Sequence, residues 1–184
     1  MKILSKYYPC GYAESVFAID YNKLYQKGFR GVIFDIDNTL VHHGDDSTPE
    51  IDALFFKIHA AGIKTLLLTN NDEERVQRFI KNIDTEYICD AEKPDPAGYI
   101  KAVEKLGIAR SQAVVIGDQL FTDILGANRS GIAGILVKFI KLPEEKFIGK
   151  RRYLEKLILF FWHHSNCKKL NDIYKEKKNA LEQR

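Results

Sequence analysis

The chain has 184 residues, enough for one domain of ordinary size and a short appendage. Its 45% hydrophobic and 29% charged residues are typical of a folded globular protein and argue against a disordered chain. The charge is divided unevenly, because residues 1–137 carry 15 basic and 19 acidic side chains, net −4, whereas residues 138–184 carry 13 and 6, net +7. We therefore expect an anionic surface or partner for the basic part.

The cysteines and the apolar runs bear on the compartment. Cys10, Cys89 and Cys167 are scattered and lack metal-like spacing, which favours a reducing compartment. Residues 1–9 lack the apolar stretch of a signal peptide, and the longest apolar run, residues 157–162, is too short to cross a bilayer. We expect a cytoplasmic protein and leave open a peripheral contact with the inner face of the membrane.

The hydrophobic pattern predicts strands that alternate with helices. A leader, residues 1–30, has turn chemistry at Pro9 and Gly11 and a short helix near residues 21–27. The predicted strands lie at residues 31–37, 63–68, 87–89, 113–116 and 134–140. The helices between them are predicted around residues 49–61, 76–83, 100–106 and 124–129.

This alternation predicts an α/β fold, a three-layer, Rossmann-like, doubly wound parallel sheet with helices on both faces. Only 25 residues separate Leu40 from Leu66, and about 23 separate Thr69 from Lys93. Neither gap has room for a second folded unit, so we expect no cap domain.

Chemically useful side chains cluster where the predicted strands end. In a parallel sheet the ligand site lies beyond the carboxyl ends of the strands, so these side chains are expected to converge. They are Asp35, Asp37, Thr69, Asn70, Lys93, Asp118 and Asp123.

The aspartates Asp35 and Asp37 follow the first predicted strand two residues apart, and would face the same side of it. Two close carboxylates repel each other, so a cation or a reaction should use them. Together with Asp118 and Asp123 they form an all-oxygen set, which favours Mg²⁺ over zinc or copper.

Donor groups are predicted beside this acidic set. Thr69 supplies a hydroxyl, Asn70 a backbone N–H and Lys93 a cation, and donors beside a magnesium site suit a phosphoryl group. Each position also has an ordinary interpretation as a turn residue, a helix cap or a solvated charge. Four independent strand ends are unlikely to mimic one site by chance, so the joint interpretation is favoured.

Four motifs in order carry a family resemblance. They are Asp-x-Asp-x-Thr-Leu from Asp35, Thr69 after an apolar strand, Lys93-Pro94, and Gly117-Asp118 with Asp123. The chain resembles the haloacid dehalogenase superfamily of phosphatases over residues 7–141. It is most similar to the YqeG-like, type IIIA branch, which includes the phosphatidylglycerophosphate phosphatases.

The resemblance implies roles for these residues. Asp35 would be the nucleophile that forms an aspartyl-phosphate, and Asp37 the acid that protonates the leaving alcohol and then the base that activates water. Mg²⁺ would be held by the metal set, which is Asp35, Asp37 through its backbone carbonyl, Asp118 and Asp123. The phosphoryl oxygens would be bound by Asn38, Thr69, Asn70 and Lys93.

The division predicted from the sequence is a phosphatase domain of residues 1–142, with the leader packed on it, and a basic helical tail of residues 143–184. Within the tail, residues 146–162 combine basic side chains with Leu, Phe and Trp, as in segments that lie in a membrane interface. The alternative is a terminal helix packed on the sheet through its apolar positions, Leu154, Leu157, Ile158 and Phe161. Residues 168–184 are predicted to be a charged, solvated helix.

Two classes of function remain open. The first is a Mg²⁺-dependent phosphatase acting on phosphatidylglycerophosphate at the membrane, or else on a soluble phosphate ester. The second is a binding or scaffold protein whose basic tail contacts RNA or a protein. The intact motif set favours the enzyme, and we do not expect nucleic acid to be its partner.

Overall fold

The structure is a computed structural model that describes residues 4–144, 150–165, 170 and 172–174. Its centre is one six-stranded, all-parallel sheet in the order β1-β6-β5-β2-β3-β4. The strands are β1 Gly11–Ala13, β2 Gly31–Phe34, β3 Lys64–Leu68, β4 Glu86–Ile88, β5 Ala113–Gly117 and β6 Ala133–Val137. The α-helices are α1 Tyr21–Gln26, α2 Pro49–Ala60, α3 Glu73–Phe79, α4 Pro96–Leu106, α5 Leu125–Arg129 and α6 Lys150–His163.

Helices cover both faces of the sheet. Along β2, Val32 and Phe34 pack into one apolar cluster with α1, α2 and α3, whereas Ile33 packs into a second cluster with α4 and α5. Successive residues of a strand point to opposite faces, so a strand buried on both faces is apolar throughout. The predicted three-layer α/β fold is confirmed.

Local sequence signals set the ends of the helices. The Thr48 hydroxyl accepts a hydrogen bond from the Ile51 N–H at 3.4 Å, and Pro49 occupies the first turn of α2. Asp95 caps α4 in the same way through the Ala97 N–H at 2.8 Å. Gly107 ends α4 in the left-handed conformation, with φ of 65°.

The leader contains a strand where a turn was predicted. Residues 11–13 form β1, which pairs in parallel with β6 so that Gly11 lies opposite Ile135. A Cβ atom on Gly11 would lie 2.7 Å from the Tyr174 hydroxyl and 3.2 Å from the Leu170 carbonyl oxygen. The glycine at this position therefore permits a close approach of chain segments rather than a turn.

Two other predicted strands are shorter than expected, and one helix begins differently. The strand predicted at residues 31–37 ends at Phe34, and the one predicted at 134–140 ends at Val137. Before α5 the chain makes one π-helical turn, Leu120–Ile124.

The helix α6 packs on the domain through a different face from the predicted one. Ile158 and Trp162 are buried in a cluster with Tyr8, Leu120, Ile124 and Leu136. The predicted core contacts Leu154, Leu157 and Phe161 are instead exposed, at 50%, 53% and 47%. Of the four residues named for this packing, only Ile158 is correct.

The segment that follows α6 also reaches the core. Leu170 and Ile173 are buried, and residues 19 and 174 form an antiparallel bridge. These positions contradict the solvated helix predicted for residues 168–184, most of which lies outside the described residues. The boundary at residue 142 stays a prediction. Over the part of the chain with described coordinates, no helix is both long and apolar enough to span a bilayer.

Candidate active site

The ends of four adjacent strands bring the predicted site residues together. The loop after β2 carries Asp35, which continues the sheet by donating its N–H to the Ile116 carbonyl at 3.0 Å. Thr69 follows β3, Lys93 follows β4, and Asp118 follows β5. All six residues predicted to catalyse or to bind phosphate line one cavity of about 180 Å³: Asp35, Asp37, Asn38, Thr69, Asn70 and Lys93.

Three carboxylates converge where Asp35 lines this cavity. One oxygen each from Asp35, Asp118 and Asp123 lies within 4.8 Å of the others, and all three residues are buried. Buried like charges are costly unless a cation balances them. A set of three hard oxygen ligands fits a divalent cation such as Mg²⁺.

Lys93 supplies part of the balancing charge. Its ammonium group donates to Asp35 Oδ1 at 2.6 Å and to Asp123 Oδ1 at 2.7 Å. Thr39 adds a hydroxyl 3.4 Å from Asp35 Oδ2 and 3.3 Å from Asp118 Oδ1. The cluster is therefore closely hydrogen-bonded within the protein itself.

Burial dominates the acid–base properties of the cluster. It raises the pKa of Asp35, and the positive charge of Lys93 offsets part of that increase. Burial likewise raises the pKa of Asp118, helped by the nearby charge of Asp123 and opposed by that of Arg152. Although burial disfavours the charged form of Lys93, its attraction to Asp123 and Asp35 raises the pKa of the ammonium above its ordinary value.

The Asp37 side chain lies outside the carboxylate cluster. Its Oδ1 accepts from the Arg75 guanidinium at 2.9 Å and from the Gly44 N–H at 3.1 Å, and its Oδ2 accepts from the Asn71 amide at 2.5 Å. Half-burial acts to raise the pKa of this carboxyl, but the three donors outweigh it and the pKa is lowered. The Asp37 carboxylate therefore lies apart from the carboxylates of Asp35, Asp118 and Asp123. The metal ligand predicted at this position is the backbone carbonyl of Asp37 and not its side chain.

The phosphate-binding candidates also have structural partners. Thr69 Oγ1 accepts from the Asn71 N–H at 3.2 Å. Asn70 fixes the loop that carries Lys93, because its Oδ1 accepts from the Lys93 N–H at 2.7 Å. Asn38 adopts a left-handed conformation, φ 61°, and its Oδ1 accepts from the His43 N–H at 3.2 Å.

Several site contacts were missed by sequence reasoning, although Arg75 is one of four cations, with Arg78, Arg129 and Lys138, that the sequence offers as candidates for recognising the substrate beyond its phosphate. Two are made by cations that reach the aspartates from α3 and from α6, and the others are made by polar residues that contact the same carboxylates. The residues are Thr39, Asn71, Arg75 and Arg152. Thr39 lies inside a recognised motif and was discoverable, whereas no spacing in the sequence connects Arg152 with residue 118.

Comparison with known proteins bears on the family. A model of haloacid dehalogenase-like hydrolases matches residues 43–131. The chain is 34% identical over 159 residues to "Probable phosphatase YqeG" of Bacillus subtilis, covering 85% of this chain and 92% of that protein. It is 32% identical over 162 residues to phosphatidylglycerophosphate phosphatase 1 of Arabidopsis thaliana, covering 82% of this chain and 46% of the plant enzyme.

Solved structures agree with the fold. An uncharacterised protein from Listeria monocytogenes serotype 4b superposes with a TM-score of 0.52 at 20% identity, covering 74% of this chain and all of that one. NagD from Escherichia coli K-12 superposes with a TM-score of 0.52 at 15% identity, covering 65% and 94% of the two chains. With a relative aligned along most of its length and an acidic site at the expected strand ends, the chain belongs to the haloacid dehalogenase-like hydrolases, in their YqeG-like branch, and is a phosphatase.

Proposed function

We propose that this phosphatase is a Mg²⁺-dependent phosphomonoesterase that forms an aspartyl-phosphate on Asp35 and acts on phosphatidylglycerophosphate at a membrane surface. The observation that carries the chemical part is the convergence of three buried carboxylates with Lys93, of which Asp35 and Lys93 line one cavity. A lysine among carboxylates can bind the anionic phosphoryl group and reduce its repulsion from the nucleophile.

The reaction proceeds in two displacements. An oxygen of Asp35 attacks phosphorus in line, the bond from phosphorus to the leaving oxygen breaks, and protonated Asp37 gives its proton to the departing alcohol. The ionised Asp37 then accepts a proton from water as the water attacks the phosphoryl group, which restores Asp35 and releases inorganic phosphate.

The cation would be held by Asp35, the Asp37 backbone carbonyl, Asp118 and Asp123. It would neutralise charge on the phosphoryl oxygens and fix their orientation. Thr69, Asn70 and Lys93 would bind the oxygens of the phosphoryl group during both steps, and Asn38 lines the same cavity.

A second cleft supports a lipid substrate. It occupies about 390 Å³ between α6 and the edge of the sheet and shares Asp118 with the active-site region. Its apolar walls include Leu136, Val137, Phe139 and Leu159, and its cations are Lys138, Lys141, Arg152 and Lys156. Apolar walls with cationic side chains suit the acyl and anionic headgroup parts of an acidic phospholipid.

The exposed face of α6 supports action at a membrane. Its outward side chains are large and mostly aromatic: Tyr153, Leu154, Leu157, Phe160 and Phe161. An apolar face on a helix that also carries Arg151 and Lys156 fits an interfacial membrane contact. The Arabidopsis relative, whose name specifies this lipid, adds sequence support for the substrate.

The test is phosphate release from phosphatidylglycerophosphate in mixed micelles, set beside a panel of soluble phosphate esters. We expect Mg²⁺-dependent turnover of the lipid, loss of turnover in EDTA, and loss of all activity in Asp35→Asn. Good turnover of soluble esters without turnover of the lipid would contradict the substrate but leave the phosphatase chemistry standing. Full activity of Asp35→Asn would contradict the mechanism itself.

A further inference from the structure

Arg152, on α6, reaches the active site from outside the catalytic loops. Its Nη1 donates to the backbone carbonyl oxygen of Asp118 at 2.6 Å, and its Nη2 donates to Asp118 Oδ2. One guanidinium therefore contacts both the main chain and the side chain of the same aspartate. Such two-point contact fixes orientation as well as charge.

The Arg152 guanidinium has three partners: Asp118, Glu155 and the ring of Phe139. Glu155 Oε2 accepts from Arg152 Nη1 at 2.9 Å, and Glu155 Oε1 accepts from the Leu120 N–H at 2.9 Å. The Phe139 ring lies 4.6 Å from the guanidinium carbon. Because Glu155 is buried, this network ties α6 to the loop that follows β5 at residues 118–120.

The two oxygens of Asp118 have different surroundings. Oδ2 faces Arg152, whereas Oδ1 lies 3.3 Å from the Thr39 hydroxyl, which also contacts Asp35. Oδ1 is thus on the side of the three-carboxylate cluster. An oxygen held by a second residue leaves the other oxygen free to face a cation.

Charge balance also calls for this arginine. Three buried carboxylates converge, and Lys93 pairs with two of them, Asp35 and Asp123. Asp118, whose side chain is fully buried, pairs instead with Arg152. Each carboxylate of the cluster therefore has a cationic partner within the described residues.

We propose that Arg152 is a positioning residue for the divalent-cation site: it holds Asp118 so that one carboxylate oxygen stays presented to the cation. The inference rests on the proposed use of Mg²⁺ by this cluster and goes beyond it. It places one determinant of cation affinity on α6, outside the loops that carry the carboxylates.

The opposite role for Arg152 is competition with the cation for Asp118. The two roles predict opposite effects of the Arg152→Gln variant on Mg²⁺ affinity. Positioning predicts affinity about 10- to 100-fold weaker, the usual effect of losing a residue that orients a metal ligand. Competition predicts tighter binding.

The experiment is isothermal titration calorimetry of the full-length protein with Mg²⁺. It measures the dissociation constant of Mg²⁺ directly, without substrate. Arg152→Gln and Arg152→Lys are compared with Arg151→Gln, a control at the exposed neighbouring position. We expect weaker binding in both Arg152 variants, since lysine cannot make both contacts, and unchanged binding in Arg151→Gln.

The outcomes separate the two proposals. If the wild type does not bind Mg²⁺, the proposed cation dependence fails. If the wild type binds Mg²⁺ and folded Arg152 variants bind it equally or more tightly, the positioning role is overturned. Circular dichroism establishes folding, and Arg152→Lys serves as the deciding variant should Arg152→Gln not fold.

Discussion

Asp35 and Asp37 stand two residues apart, yet different cations hold their carboxylates. Lys93 Nζ lies 2.6 Å from Asp35 Oδ1, and Arg75 Nη2 lies 2.9 Å from Asp37 Oδ1. Strand β2 ends at Phe34, and although both aspartates line the same cavity, their carboxylates are held by different partners. The mutual repulsion expected from the sequence is avoided, and the two groups have separate environments suited to separate tasks.

Loss of the Asp37 carboxyl should affect both displacements unequally. Asp37→Asn should lower kcat by about 10²- to 10⁴-fold, the usual contribution of a general acid–base group. An aryl phosphate, whose leaving group needs little protonation, should still phosphorylate Asp35. We expect rapid-quench kinetics to show a burst near one equivalent followed by slow release of phosphate. Unchanged steady-state turnover would exclude Asp37 from proton transfer.

Arg75 should set the pH range over which Asp37 can act as an acid. Its guanidinium is one of the donors that lower the pKa of Asp37. The Arg75→Gln variant lacks this donor, so we expect the pKa of Asp37 to be higher. Protonated Asp37 then persists to higher pH, and the pH at which kcat falls on the basic side should move to a higher value. Arg30→Gln is the control, because Arg30 donates to the backbone carbonyls of Tyr25 and Phe29 and not to Asp37 or its donors. An identical shift in both variants would contradict the assignment.

Removal of Lys93 should destabilise the fold as well as the reaction. Lys93→Met leaves Asp35 and Asp123 buried beside Asp118 without their cation, a loss of about 3–5 kcal/mol in the free energy of unfolding. Denaturant unfolding should show this loss of stability. The control is Lys105→Met, because Lys105 forms an exposed ion pair with Glu86.

The same variant has a pH signature. Burial already raises the pKa of Asp35. Without Lys93 this pKa should rise further, because the positive charge and the hydrogen bond of Lys93 lower it in the wild type. Protonation then relieves the repulsion, so acidification should narrow the stability gap between Lys93→Met and the wild type. Added Mg²⁺ should also stabilise the variant more than the wild type. A gap that widens at lower pH would argue against this electrostatic account.

The outward face of α6 should govern membrane binding. Phe160 and Phe161 are 58% and 47% exposed, and the double change to Ser removes two aromatic side chains from that face. Burial of a Phe contributes roughly 1.5–3 kcal/mol, so we expect at least about tenfold weaker binding to anionic vesicles. Phe56→Ser, at a position 74% exposed on α2, is the control. Vesicle sedimentation with equal binding of all three proteins would remove α6 from membrane contact.

The central strands and the strand-end residues could be predicted from the sequence because local signals agree there. In β5, residues 113–117 are apolar, buried on both faces and followed directly by Asp118. In a parallel sheet, a polar residue directly after such a strand lies at the carboxyl end of the sheet, where ligands bind. The positions of Thr69 and Lys93 at the cavity followed from the same rule.

The buried face of α6 could not be predicted from the sequence, because a buried polar residue, Glu155, determines which side of the helix packs on the domain. Glu155 is buried to accept the Leu120 N–H and to pair with Arg152, and Ile158 and Trp162 lie on that same face. Apolar spacing alone favoured Leu154 and Leu157, since a buried glutamate has no hydrophobic signal. The contact of Arg152 with Asp118 depends on this orientation and is a tertiary property.

Strand β1 was missed for a different reason. It has three residues, follows Pro9 and begins with Gly11, which are turn signals in isolation. Its pairing with β6 and its contacts with Leu170 and Tyr174 supply the structure that its own sequence does not specify.

The position of β1 at the sheet edge has a consequence for synthesis. Its partner β6 lies roughly 120 residues further along the chain, which a ribosome making 5–20 residues per second needs on the order of ten seconds to complete. The Leu170 N–H that bonds to Cys10 O and the Ile173 carbonyl that accepts from Asp20 N appear later still. The first strand made can therefore join the sheet only after β6 has been synthesised, and the contacts of the leader with residues 170 and 173 follow afterwards.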